Sequence, residues 1–180
     1  VGGHAAFLRA GQDARRVDIP GFTTFLDDSL LFLQWVKQQY PGLPVYVMGH
    51  SMGALVAAGL AVERPDLVRR VALLNAVHRR SPEARAAVLA RADEIAQGQG
   101  SVQGPLDRWF GPNQRAVRNT VAHWLQQMDA QGYATAYRAF AEGDQTYADR
   151  LGGISCPALV LTGEGDRNSN PQMSRDMAAA

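Results

Sequence analysis

Cysteine is nearly absent: Cys156 is the one thiol in 180 residues. It has no partner for an internal bond, so no disulfide framework holds the fold together. An excess of charge of one sign is missing as well, with 18 Lys and Arg against 17 Asp and Glu for a net charge of +1. Nucleic-acid binding requires a concentrated basic face, and nucleic acid is excluded as the main partner on that ground. The pairs Arg15-Arg16, Arg69-Arg70 and Arg79-Arg80 are short and dispersed, which reads as solvated surface. No apolar run reaches the roughly 18 residues a membrane helix needs, and the opening residues lack the plan of a signal peptide. There is no Cys/His cluster with zinc spacing and no dinucleotide-binding glycine fingerprint, so neither a metal nor an organic cofactor is expected. The expectation is a soluble, globular, cytoplasmic chain with no integral membrane segment, long enough to bury a real core.

What is present alternates strands and helices. Val1 to Pro20 carry scattered glycine and charge with no period, and read as loop. Phe22, Phe25, Leu26, Leu30, Leu33, Val36 and Tyr40 recur at three- and four-residue steps, which predicts a helix. Thr23 or Thr24 would cap it, with Asp27 and Asp28 in its first turn, and Pro41-Gly42 would stop it. Leu43 to Met48 is a short apolar run that fits a strand buried on both faces. An Ala- and Leu-rich helix follows from Met52 to about Glu63, then a second buried strand from Val68 to Asn75. A third strand, Ala158 to Thr162, comes much later. Strand, helix and strand in that order imply a parallel pair with a right-handed crossover.

Between the second and third strands lies a long stretch with helical signals only. Ser81-Pro82-Glu83 is a helix start, a capping hydroxyl followed by proline and an acid, with Gly98 and Gly100 ending that helix. Val117, Val121, Trp124, Leu125 and Met128 form a cleaner stripe, and Tyr133, Tyr137, Phe140 and Ala141 another. Their helical spacing is explained by packing as the core of this helical segment. Cys156, next to Pro157 at a strand start, reads as a small packed hydrophobe.

Gly49-His50-Ser51-Met52-Gly53 stands between a buried strand and a helix. A serine whose hydroxyl projects from so tight a turn has a strained backbone, and glycine on either side removes side chains that would collide. The helix after it aims free N–H groups and its positive dipole end at the hydroxyl, and the Met52 N–H can donate to a developing oxyanion.

The run Tyr40-Pro41-Gly42-Leu43-Pro44-Val45-Tyr46-Val47-Met48-Gly49-His50-Ser51-Met52-Gly53, followed by Glu63-Arg64-Pro65, resembles the α/β-hydrolase superfamily, in particular its monoacylglycerol lipase and lysophospholipase branch. From Ser81 onward, the Arg/Ala-rich helices and the segment Leu161-Thr162-Gly163-Glu164-Gly165-Asp166-Arg167-Asn168-Ser169 are more similar to the enol-lactonase and peroxidase-like branch. The resemblance implies an α/β fold, a mostly parallel sheet with a helical cap insertion. Residues 1–78 and 151–180 would be core and 79–150 the cap, with the sheet incomplete at both chain ends. It also implies a nucleophile Ser51, then an acid, then a histidine. Asp166 matches the acid, with Glu164 as a close competitor and turn capping as the alternative role for Asp166. His50 belongs to the elbow, while His4, His78 and His123 stand outside the family's order. The base and a second oxyanion donor are therefore expected outside this chain, which reads as a fragment, poorly soluble and inactive alone.

The function so implied is hydrolysis of a small-molecule carboxylic ester through an acyl-enzyme on Ser51, with a preference for lipid-like acyl chains. Two alternatives stand beside it. One is a hydrolase of small lactones or other non-lipid substrates. The other is a catalytically incompetent scaffold that keeps the elbow without its base.

Overall fold

The computed structural model describes residues 21–180. The opening segment, with His4, Arg15 and Arg16, lies outside them. Helix α1, Phe22–Gln39, buries Phe22, Leu26 and Leu33. Its N-cap is Gly21, which offers no side-chain bond, and not Thr23 or Thr24; no acid falls in its first turn. Packing overrides the capping signal here. The Phe22 ring is drawn into the core against Gly143, where a methyl group would stand 2.5 Å from it. The helix therefore starts at Phe22. At its other end the Lys37 ammonium donates to the carbonyls of Pro41 and Leu43 at 3.2 and 2.9 Å, tying down the turn into the sheet.

Strand β1, Val45–His50, helix α2, Met52–Glu63, and strand β2, Val68–Leu74, form a parallel unit. Strand β3, Ala158–Leu161, pairs parallel with the far side of β2, so the order is β1-β2-β3. Helix α2 is apolar nearly all round and buries Ala54, Leu55, Ala57, Ala58, Leu60 and Ala61, as a central core helix does. Gly59 lets α1 and Tyr147 approach it, since a methyl there would lie 2.8 Å from Leu26 Cδ1.

The sheet is not buried on both faces. Val47, Gly49, Val71, Leu73 and Val160 turn toward the helices and belong to or border the core. The alternate residues face outward: Tyr46 is 63 % and Met48 73 % exposed, and Leu159 and Leu161 are exposed beside them. A continuous apolar run shows that both faces of a strand are apolar, not that both are covered.

Helices α3, Pro82–Ala96, α4, Gln103–Trp109, α5, Arg115–Gln127, and α6, Ala130–Gly143, come between β2 and β3. The start of α3 follows its sequence signal: Ser81 Oγ accepts the N–H of Ala84 at 3.2 Å and Pro82 is the first helical residue. Helix α4 carried no sequence signal. The apolar stripe of α5 does not form a core. No residue of that helix is buried, and Trp124 is 61 % exposed. Cys156 is a free, half-buried thiol packed against the core. A 3-10 turn, Leu151–Gly153, leads into β3, and α7, Pro171–Ala178, closes the chain. No helix among the described residues is long and apolar enough to cross a membrane.

One arginine pair is not solvated surface. Arg80 is buried, its guanidinium 4.3 Å from the Phe140 ring centroid and donating to the Phe140 carbonyl at 3.1 Å. The Asp144 carboxylate, fully covered, accepts the Arg80 N–H and the Arg85 guanidinium, each at 2.7 Å. This cluster fastens the end of α6 to the loop after β2. Beside it Arg79 pairs with Asp149.

Candidate active site

The register of the three strands sets out the site. His50 lies level with Leu74, and Leu74 with Leu161, so Ser51, Asn75 and Thr162 begin the loops on one rim, the carboxyl end of the sheet. The ladder runs one step further: the Ser51 N–H donates to the Leu74 carbonyl at 2.8 Å, and the Asn75 N–H to the Leu161 carbonyl at 2.8 Å. Parallel strands lie about 4.8 Å apart, which separates the chain ends of β1 and β3 by roughly 10 Å. Ligands of open parallel sheets bind at this end.

Ser51 has φ 55° and ψ −119°, a backbone conformation that non-glycine residues adopt only where surroundings enforce it, at a cost on the order of 1–3 kcal/mol. Two features enforce it: the bond to Leu74 behind, and α2, which begins at the next residue. Gly49 makes the bend possible. A Cβ on it would sit 2.0 Å from the Gly53 carbonyl oxygen and 2.6 Å from the Ala54 nitrogen. Gly53 is different, because a Cβ there meets nothing within 4 Å among the described residues. The crowding expected on both sides of the serine falls on Gly49 alone. Met52 is the first residue of α2, where a backbone N–H has no intrahelical acceptor. His50 is exposed on the outer side of β1.

Asp166 sits in the loop after β3, on the same rim. Its Oδ1 accepts the N–H groups of Asn168 and Ser169 at 2.8 and 2.9 Å, and its Oδ2 accepts the Asn75 amide at 2.7 Å and the Ser169 hydroxyl at 3.0 Å. Burial pushes this carboxyl up, but the Ser169 N–H, the Asn75 amide and the remaining donors outweigh it and hold it below the usual carboxylate range. Glu164, the competing carboxylate, is exposed. The two backbone bonds from Asn168 and Ser169 are those of a turn cap, so Asp166 caps the turn, a role that leaves its place on the rim intact.

The histidines among the described residues are not gathered here. Among the described residues the bonds of Asp166 run to Asn75, Asn168 and Ser169, and none to an imidazole. His78 is buried in the loop after β2, where burial and then Arg79 push its pKa down, and His123 is exposed on α5. Asn75 is the residue that sequence reasoning passed over. It was visible only as an asparagine at the end of an apolar strand, where left-handed backbone is frequent.

Comparison with known proteins gives the family and the fold. Over 172 residues, 90% of this chain, it is 44% identical to (E)-2-((N-methylformamido)methylene)succinate hydrolase of Acinetobacter baylyi, and spans 65% of that protein. It is 33% identical to monoglyceride lipase of Homo sapiens over 72 residues, 40% of this chain and 24% of that one. The crystal structure of the enol-lactonase from Burkholderia xenovorans LB400 superposes with a TM-score of 0.71 at 27% identity, covering 88% of this chain and 60% of that chain. This chain thus spans less than two thirds of the length of each. The fold is that of the α/β hydrolases, and both branches suggested by the two halves of the sequence are represented among the relatives. With a family model matched over residues 9–180, the chain belongs to the Hydrolase_4 family, described as serine aminopeptidase, S33.

Proposed function

We propose that the protein carrying this chain is a serine hydrolase that cleaves a small, polar carbonyl substrate, an ester or an activated amide, through an acyl-enzyme on Ser51. The observation that carries this reading is the backbone of Ser51, held at φ 55° by the Leu74 carbonyl and α2 on the rim that also bears Asp166. Strain at one residue of an otherwise regular strand–helix junction marks a position where geometry serves chemistry. Ser51 Oγ attacks the carbonyl carbon while an imidazole from outside the described residues takes its proton. The carbonyl oxygen gains the negative charge and is met by the Met52 N–H. The tetrahedral adduct expels its alcohol or amine, which takes the proton back. Water then adds to the acyl-enzyme by the same path and releases the acid and the free serine. Asp166 orients the imidazole and balances its charge. The residues of 79–150 form a cap over this rim.

The name of one relative supports this substrate class. The one matching 90% of this chain at 44% identity is named for a formamido-substituted succinate, a small molecule with carboxylates. A second reading, hydrolysis of lipid-like esters, is favoured by one observation: Val117 and Trp124 on α5, with Met128 just after it, stand exposed and apolar, as a surface that receives an acyl chain would.

Turnover of p-nitrophenyl acetate and decanoate by the intact protein separates the two. The proposal expects kcat/KM for the acetyl ester to equal or exceed that for the decanoyl ester, and Ser51→Ala to remove at least about 10³-fold of either. A strong gain with chain length would favour the lipid reading. Turnover that survives Ser51→Ala would overturn both.

A further inference from the structure

The end of β2 carries neither the nucleophile nor the acid, yet both are fixed to it. The Leu74 carbonyl takes the Ser51 N–H at 2.8 Å from the β1 side. The next residue, Asn75, reaches the other way. Its N–H donates to the Leu161 carbonyl at 2.8 Å, and its side-chain Nδ2 donates to Asp166 Oδ2 at 2.7 Å and to Thr162 Oγ1 at 3.3 Å. Asn75 has φ 48°, in the left-handed region. That conformation stops the strand and turns the amide along the rim toward β3. Asparagine is among the few side chains that tolerate it.

The other three donors to Asp166 lie within its own loop, at Asn168 and Ser169. They can fix the carboxylate relative to the loop, but not relative to the serine. Asn75 is the one donor to this carboxylate, among the described residues, that directly follows the central strand, and that strand also holds Ser51 through the Leu74 carbonyl. Two adjacent residues thus set the spacing of the two groups an imidazole must bridge. Thr162 adds a second tie, since its hydroxyl donates to the Ser169 carbonyl at 2.6 Å.

We propose that Asn75 is a positioning residue of the hydrolase site: its amide registers the Asp166 carboxylate to the strand end that holds Ser51. This rests on the serine-hydrolase reading above. The bond is charge-assisted, of a kind stronger than a neutral hydrogen bond, and its loss leaves Asp166 anchored only to a loop. Mispositioning of a reacting constellation lowers kcat more than it alters binding.

The test is steady-state turnover of p-nitrophenyl acetate by the intact protein and by Asn75→Gly and Asn75→Asp, with thermal melts of each. Glycine accepts φ 48° and removes only the amide. Aspartate also tolerates that backbone and keeps the shape, but replaces the donor with an acceptor facing a carboxylate. Both variants are expected to lose roughly tenfold to hundredfold in kcat, the range for one charge-assisted bond, with KM within about twofold. Asn75→Gly is expected to keep the parental melting temperature to within a few degrees. Parental kcat in the two variants, in a protein whose turnover depends on Ser51, would show that Asn75 serves the backbone alone and would overturn the inference. If Asn75→Gly does not fold, Asn75→Asp decides. Absence of Ser51-dependent turnover in the parent would instead bring down the serine-hydrolase reading, and the role of Asn75 with it.

Discussion

A methyl group on Gly49 would lie 2.0 Å from the carbonyl oxygen of Gly53, four residues ahead in the chain. The contact is backbone against backbone, and no rotamer relieves it. The chain reverses so sharply at Ser51 that the strand entering the turn and the helix leaving it touch. Gly49→Ala is therefore expected to cost more than about 3 kcal/mol, in the range reserved for core disruption and enforced backbone strain. Gly53→Ala, in the first turn of α2 with open space around it among the described residues, is expected to be neutral or to stabilise by up to about 1 kcal/mol through helix propensity. Urea unfolding of the two variants side by side reads the difference. Equal losses would mean that the turn is not built as described.

Removing the carboxylate of Asp144 leaves two guanidinium groups without their counter-charge, one of them buried. Arg80 is covered and Asp144 is fully covered, so the surface-pair discount does not apply. Asp144→Ala is expected to destabilise the fold by about 3–5 kcal/mol, the cost of stranding a buried charge. Arg79 and Asp149, an exposed pair close by, supply the contrast: Asp149→Ala is expected to change stability by less than about 1 kcal/mol. Chemical denaturation of both variants measures this. A small loss for Asp144→Ala would mean that the α6 junction is held by packing alone.

Acid stability reports on Asp166. Its carboxyl titrates below the ordinary value of 3.8 in the folded chain because Ser169, Asn75 and Asn168 donate to the ionised form. The stability it contributes is thus complete above pH 3.8 and is lost as the pH falls through the lower, folded value. Asp166→Asn is expected to be less stable than the parent at pH 6, with the gap closing below pH 3.8. Unfolding curves across that range test it. A gap that does not change with pH would mean that the charge of Asp166 is not what its four donors hold.

Local signals made the sheet and its crossover legible. Apolar runs bounded by proline and glycine gave β1, β2 and β3 to within one or two residues, and Ser81-Pro82 placed the first turn of α3. The elbow was legible because its glycines and serine are contiguous. What remained hidden depends on partners distant in sequence. Arg80 looked like surface because its counter-charge, Asp144, lies 64 residues on, and the bond of Asn75 to Asp166 spans 91 residues. The stripe on α5 showed its period, but a period does not say whether anything packs against it. The outer face of the sheet failed for the same reason, since Met48 and Leu159 are as apolar as the residues that are covered. The cap of α1 failed because the Phe22 ring, packed against Gly143, starts the helix ahead of either threonine.

Every role proposed for this rim depends on Ser51 being a nucleophile. Mass spectrometry of the intact protein after treatment with a fluorophosphonate, followed by peptide mapping, tests it most directly. One covalent adduct is expected, on Ser51, absent from Ser51→Ala and formed more slowly in Asp166→Asn. An unmodified Ser51, or an adduct mapped to another residue, would contradict it.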